Sequence, residues 1–244
     1  MKQVMTHLVA GYPNEEESEA IALKLAEGGA HFLEVQIPFS DPIADGPTIF
    51  RANQVALSSG MNTEKALKMI ERIKKEIPKE IHIVVMTYAN IAYQYGLEDF
   101  CKRLGEIGVM ALILPDMPLD EEVYDHFVAY SKRYGVHPIQ IVSPITPPER
   151  LDAIAAVASG FLYCVSHTGK TGAQASLNEE VIQYLDRVRV KVKIPLALGF
   201  GISSAEQVKS AFKKADIVVI GSHLINLYDK EGLPGIENFL KSIL

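Results

Sequence analysis

The 244-residue chain lacks several features that would place it in common functional classes. Its two cysteines, Cys101 and Cys164, form no CxxC pair, which predicts free buried thiols in a reducing compartment. Its seven histidines show no HExxH or similar spacing, which argues against a zinc site or other metal site. A net charge of −6 provides no basic surface for nucleic acid. No apolar run approaches the length of a membrane span, and the first residues are too polar for a signal peptide. We therefore expect a cytoplasmic protein that binds neither nucleic acid nor membrane.

What the chain does contain is a regular alternation of strand-like and helix-like segments. The apolar patterns predict strands at 4–9, 32–37, 81–88, 109–114, 137–142, 160–165, 194–198 and 217–220. They predict helices after an N-cap at Asn14, at 63–76, 97–105 and 120–134, from Pro147 and Pro148, at 178–190, from caps at Ser203 and Ser204 to 214, and at 234–243. Eight such units without a linker predict an α/β fold, a single (β/α)₈ TIM barrel over residues 1–244. The alternative, an open doubly wound sheet, lacks support because no GxGxxG follows the first strand.

The most informative segment is 34–48, EVQIPFSDPIADGPT. Glu34 interrupts an apolar strand, and a buried carboxylate is costly unless something pairs with it or uses it. Asp45 follows on a loop held by prolines and Gly46, where it would meet the same ligand. Both residues are therefore candidate catalytic groups. The alternative interpretation is a surface Glu and an N-capping Asp.

Other polar and glycine-rich segments fall where the predicted strands end, the edge at which TIM barrels place their active sites. Tyr88 follows the third strand and Asp116 the fourth. Three segments, 166–172, 199–203 and 221–223, follow the last three strands, and their glycines predict a phosphate cup closed by a helix start near Gly221. The first of them also suggests a mobile lid. The alternative is that these glycines only make tight turns.

The motifs together resemble the tryptophan synthase α subunit family over almost the whole chain. They are LVAGYP at 8–13, the segment 34–48, MTYAN at 86–90, LPDMP at 114–118, YCVSHTGKTG at 163–172 and LGFGIS at 198–203. The resemblance implies retro-aldol cleavage of indole-3-glycerol phosphate to indole and glyceraldehyde 3-phosphate, a lyase reaction of tryptophan biosynthesis that needs no cofactor in this chain.

The resemblance also implies roles for individual residues. Glu34 would perform the acid/base step at the reacting carbon, and Asp45 would accept a hydrogen bond from the indole N–H. Thr171 matches a lid residue that bonds this aspartate. The implied substrate-binding set is Tyr88, Tyr163, Thr171, Gly172, Phe200, Gly201, Gly221 and Ser222.

A partner is implied as well, a β subunit that carries pyridoxal phosphate and receives indole through a tunnel in an α₂β₂ complex. The residues expected to face it are Pro38, Asp41, Pro42, Asp116 and Pro118. We assign pyridoxal phosphate to that partner and no cofactor to this chain.

Several positions depart from the family pattern. Gln36 stands where glycine is usual, His167 where arginine is frequent, Lys170 where valine is frequent, and His7 near a usual phenylalanine. The first predicted strand begins almost at the start of the sequence, so we expect the family's short N-terminal helix to be absent. These departures motivate two alternatives: a catalytically weak chain that mainly activates the β subunit, and a free-standing indole-forming lyase.

Overall fold

Eight parallel strands close into a barrel in the order of the chain, which confirms the predicted TIM barrel. The computed structural model describes residues 2–166, 179–199 and 201–244. The strands are β1 (Gln3–Val9), β2 (Phe32–Gln36), β3 (His82–Met86), β4 (Ala111–Ile113), β5 (His137–Val142), β6 (Leu162–Val165), β7 (Leu196–Gly199) and β8 (Ile217–Ile220). Pairing of β1 with β8 closes the ring.

Helices follow the strands and cover the outside of the barrel. They are α1 (Glu15–Glu27), α2 (Pro47–Ser58), α3 (Thr63–Glu76), α4 (Ala89–Tyr95), α5 (Leu97–Ile107), α6 (Glu122–Asp125), α7 (Phe127–Arg133), α8 (Pro148–Val157), α9 (Glu179–Lys191), α10 (Ala205–Ala211) and α11 (Ser222–Ile243). A 3₁₀ turn, Leu119–Glu121, precedes α6. Within α11, Gly232 has non-helical backbone angles and separates two helical parts.

Short sequence patterns correctly predicted where several helices begin. The Asn14 side chain accepts a hydrogen bond from the Glu17 amide at 3.0 Å, as the N-cap pattern predicts. The third helix has the predicted bounds, Thr63–Glu76. A helix also starts at Ser222, directly after Gly221, where the phosphate-cup pattern places one.

Other predictions of elements were wrong. The single helix expected over 120–134 is broken at His126, which has a left-handed backbone with φ of 57°. The Glu122 carboxylate accepts hydrogen bonds from the Val128 and Ala129 amides, so it caps a new helix there. Ser204 alone caps α10, since its hydroxyl accepts from the Gln207 amide. The patterns also missed α2 and α4. At the start of α2, Pro47 resembles a loop signal, although proline suits the first turn of a helix.

The barrel strands separate two apolar layers, because successive side chains point to opposite faces. Residues such as Leu33 and Val35 point outward and belong to the large core between strands and helices. The inward side chains form a second cluster that includes Met5, Phe32 and Phe161. Because of the same alternation, His7 points into the barrel like Met5, and Glu34 and Gln36 point into it like Phe32. These residues lie closer to the carboxyl ends of their strands. The polar residues of the sequence motif therefore lie directly above a packed barrel interior.

Candidate active site

Glu34 lies in the barrel mouth and is almost completely buried, with 3% of its surface exposed. Strand pairing places it opposite His7 of β1. The His7 Nδ1 atom lies 3.3 Å from Glu34 Oε1. Within the described part of the chain, Glu34 Oε2 and His7 Nε2 are buried without a hydrogen-bond partner. Since an unpaired buried polar atom is costly, these two atoms are positioned to meet a ligand.

Gln36 links β2, the strand that carries Glu34, to Asp45. Its Nε2 atom donates a 2.7 Å hydrogen bond to Asp45 Oδ2 and makes a longer 3.4 Å contact with Asn53 Oδ1. Asn53, on the buried face of α2, also accepts from the Phe39 amide, which holds the start of the loop. Burial raises the pKa of Asp45, and the hydrogen bond from Gln36 and the nearby His7 partly offset that rise. Asp45 is thus a partly desolvated carboxylate held toward the barrel.

Two tyrosines line the same region, Tyr88 after the neighbouring strand β3 and Tyr163 on β6 across the barrel. The Tyr88 hydroxyl accepts a hydrogen bond from the Ala44 amide at 3.1 Å, and its ring stacks on Phe39. Burial and the negative charge of Asp45 raise the pKa of Tyr88. Tyr163 of β6 has a pKa raised by burial and by the charges of Glu34 and Asp45. Both hydroxyls therefore remain neutral and can donate hydrogen bonds near the carboxylates.

The predicted phosphate residues that the structure describes lie at the ends of β7 and β8. Gly201 has a left-handed φ of 68°, a conformation that favours glycine. Gly221 and Ser222 begin α11, whose first amides lack helical acceptors and are suited to bind an anion. An added Cβ on Gly221 would lie 3.5 Å from His7 Cβ, so this turn adjoins the Glu34 side of the mouth. Thr171, Gly172, Phe200, His167 and Lys170 lie outside the described residues.

The residues predicted to face a partner fall on two loops of the same rim. Pro38 and Pro42 are buried within the first loop, whereas Asp41 is exposed. Asp116 accepts a hydrogen bond from the Ala89 amide at 2.8 Å and so joins the β4 loop to the start of α4. A cavity of about 330 Å³ opens beside Asp116 and Pro118, between the ends of β4 and β5 and α8. Glu34 and Asp45 are not among its described lining residues.

Sequence reasoning did not single out Asn53. Its signal is an asparagine within an apolar helical stripe, between Ala52 and Ala56, where a polar residue needs a partner. The patterns missed this stripe because they missed α2 itself. His7 was noticed only as a departure, and its contact with Glu34 becomes visible only once β1 and β2 are in register.

Two further observations concern what the described residues do not contain. No group of three His, Cys, Asp or Glu side chains is arranged to hold a metal ion in the described part of the chain. Among residues 2–166, 179–199 and 201–244, no helix is long and apolar enough to cross a membrane.

A closed parallel barrel whose buried polar side chains lie at the carboxyl edge of its strands defines the class of the TIM-barrel enzymes. The family model of the tryptophan synthase alpha chain matches residues 1–239. A relative from Syntrophotalea carbinolica, named tryptophan synthase alpha chain, is 38% identical over 98% of this chain and 93% of its own. One from Methanocaldococcus jannaschii is 42% identical over 94% of this chain and 80% of its own. Among solved structures, Mycobacterium tuberculosis tryptophan synthase superposes with a TM-score of 0.91 at 33% identity, covering 99% of this chain and 91% of that chain.

The chain belongs to the tryptophan synthase alpha chain family. The activity of this family is the lyase half-reaction that cleaves indole-3-glycerol phosphate.

Proposed function

We propose that Glu34 and Asp45 carry out this cleavage in the barrel mouth. The Glu34 carboxyl group gives a proton to indole C3, which places positive charge on the ring. The resulting carboxylate takes the proton of the side-chain hydroxyl as the bond from C3 to that carbon breaks and the aldehyde forms, so the Glu34 proton is restored. Asp45 accepts a hydrogen bond from the indole N–H and stabilises the positive charge that develops on the ring. Tyr88 and Tyr163 line the indole pocket, and the backbone of Gly201, Gly221 and Ser222 binds the phosphate.

The observation that carries this proposal is the unpartnered oxygen of Glu34. Glu34 is 3% exposed, yet its Oε2 atom meets no hydrogen-bond donor among the described residues. A carboxylate that served only the fold would be expected to have both oxygens paired. The buried acceptor faces the same mouth as Asp45, so the two carboxylates can contact one substrate.

The test is indole release from indole-3-glycerol phosphate, measured for wild type, Glu34→Gln and Asp45→Asn. Glu34→Gln keeps the size of the side chain but removes the acid/base group, so we expect no measurable cleavage with folding intact. Asp45→Asn removes the negative charge, and we expect a fall in kcat of roughly 100-fold or more. Glu149→Gln, at an exposed position of α8, is the matched control and should behave as wild type. Near-normal turnover by Glu34→Gln would refute the assignment.

We also propose that the rim binds a β subunit that carries pyridoxal phosphate, in an α₂β₂ complex in the cytoplasm. Large exposed apolar side chains support this proposal: Ile43 (82% exposed), Tyr93 (46%), Val123 (70%), Tyr124 (78%) and Ile145 (76%). They follow the carboxyl ends of β2, β3, β4 and β5, which are neighbours in the barrel. A contiguous apolar sector is expected at a protein interface. The sector formed by these side chains includes the loops that contain Asp41 and Pro118.

The partner surface is tested by Ile43→Asp. A charge placed at the centre of an apolar interface should weaken binding of a β subunit by roughly tenfold or more, measured by calorimetry. Val190→Asp is the matched control, because Val190 is 74% exposed but lies near the end of α9, toward the opposite end of the barrel. Equal affinities for the two variants would place the partner elsewhere.

One observation favours the second candidate, a chain that mainly activates the β subunit. The Gln36 amide already occupies one oxygen of Asp45 at 2.7 Å, a contact that glycine at this position cannot make. The remaining lone pairs of Asp45 are still available to the indole N–H, so we favour catalysis. Absence of indole release by wild type with a β subunit present, together with stimulation of the β reaction, would support the second candidate.

A further inference from the structure

We propose that His7 is a positioning residue for Glu34 and forms an imidazolium–carboxylate dyad with it in the barrel mouth. This inference deepens the proposed function and rests on the assignment of Glu34 as the acid/base group.

The geometry of the pair carries the argument. Strand register places His7 opposite Glu34, and His7 Nδ1 lies 3.3 Å from Glu34 Oε1. The two side chains are 5% and 4% exposed, so water does not compete for this contact. His7 engages one carboxylate oxygen and leaves Oε2 without a partner among the described residues. The dyad therefore orients Glu34 so that its free oxygen is presented to the substrate.

The charges around His7 support a protonated ring. Burial by itself lowers the pKa of His7, but the adjacent Glu34 carboxylate, the charge of Asp45 and the nearby Gln36 side chain outweigh it, so the pKa of His7 is raised overall. Tyr163 faces the same carboxylates from β6 and stays neutral. Gly221, which follows β8 and lies beside His7, adds no charge. The imidazolium thus contacts Glu34 and is also favoured by the more distant charge of Asp45.

If His7 had only a structural role, the His7→Phe substitution would have a different effect on the reaction. A neutral ring that only fills space would be replaced by phenylalanine with no change in the pH dependence of the reaction. A dyad, by contrast, places a titrating cation 3.3 Å from the reacting carboxylate, and this cation disappears in His7→Phe. The pH profile therefore separates the two roles.

The first experiment compares kcat/KM against pH for wild type and His7→Phe, with a β subunit present. In wild type we expect kcat/KM to fall as pH rises through the raised pKa of His7, because the imidazolium loses its charge there, and we expect this fall to be absent in His7→Phe. We also expect kcat to fall roughly tenfold, since Glu34 is no longer held in one orientation. His82→Phe is the matched control, because His82 is a half-buried histidine on β3 that stacks near Phe32. The same pH profile in wild type and His7→Phe would overturn the proposal.

A second experiment does not depend on turnover. NMR titration of the His7 ring should give a pKa above the ordinary value of about 6.5 in wild type and a lower one in Glu34→Gln. If the pKa of His7 falls in Glu34→Gln while wild type cleaves no substrate, the dyad stands and the proposed function fails. If the pKa of His7 is the same in both proteins, the dyad is refuted whatever the activity.

Discussion

At the residue scale, the site consists of polar side chains that compensate one another in a buried mouth. The Glu34 carboxylate pairs with His7 on one side, and Asp45 is held by Gln36 on the other. Gln36 in turn is placed by Asn53. Each of these groups would be costly to bury alone, because a polar group removed from water needs a replacement for its hydrogen bonds. Their mutual contacts explain how a motif with two carboxylates can lie above an apolar barrel core.

The contact between Gln36 and Asp45 is testable at this scale. Gln36→Ala removes the amide donor that favours the ionised form of Asp45, so the pKa of Asp45 should rise further. Carbon-detected NMR titration of the Asp45 carboxyl measures this directly. Gln140→Ala is a suitable control, since Gln140 is another buried strand glutamine but makes only a 3.4 Å contact, to the Pro138 carbonyl. An identical Asp45 titration in wild type and Gln36→Ala would show that the amide does not act on the carboxylate.

At the scale of elements, helix starts are determined by short polar signals and helix positions by tertiary contacts. Asn62 caps α3 by accepting from the Lys65 amide at 3.0 Å. The helix α2 is held differently: Arg51 donates to the Tyr12 hydroxyl and pairs with Asp229 of α11. This cluster joins the helix that carries Asn53 to the helix that begins at the phosphate turn. Two elements distant in sequence therefore position one site.

The cap of α3 allows a clean measurement of element stability. Asn62→Ala leaves the first-turn amide without its side-chain acceptor and should lower the free energy of unfolding by about 1 kcal/mol. Asn62→Asp retains an acceptor oxygen and should stay close to wild type. Urea unfolding of the three proteins distinguishes them. A loss of equal size in both variants would mean that the amide group, not the acceptor, matters at this position.

At the scale of the whole molecule, packing of the helices on the barrel creates a core that is inaccessible to solvent. Cys101 and Cys164 are both free and completely buried, one on α5 and one on β6. Burial raises the pKa of both thiols, that of Cys164 to about 12. The reactive thiolate is therefore scarce at neutral pH, and reagent reaches it only when the structure opens.

Thiol labelling should consequently report unfolding of the molecule. At pH 8 we expect no modification of the native protein on the timescale of minutes, and rapid modification of both cysteines in denaturant. Ser58→Cys, at an exposed position of α2, is the positive control and should be labelled at once in the native state. Fast native labelling of either natural cysteine would contradict a closed core between the strands and the helices.

The sequence alone determined the order of the elements and the direction in which the motif residues point. Period-two alternation through Phe32 and Glu34 and the cap at Asn14 are local properties, because they depend on neighbouring residues and backbone geometry. Whether His7 meets Glu34 depends on the register of β1 and β2, and whether Gln36 meets Asp45 depends on how α2 holds its loop. These contacts join residues far apart or across a loop, so only the tertiary structure decided them. For the same reason the break at His126 escaped prediction, since a side chain four residues earlier caps the helix that follows.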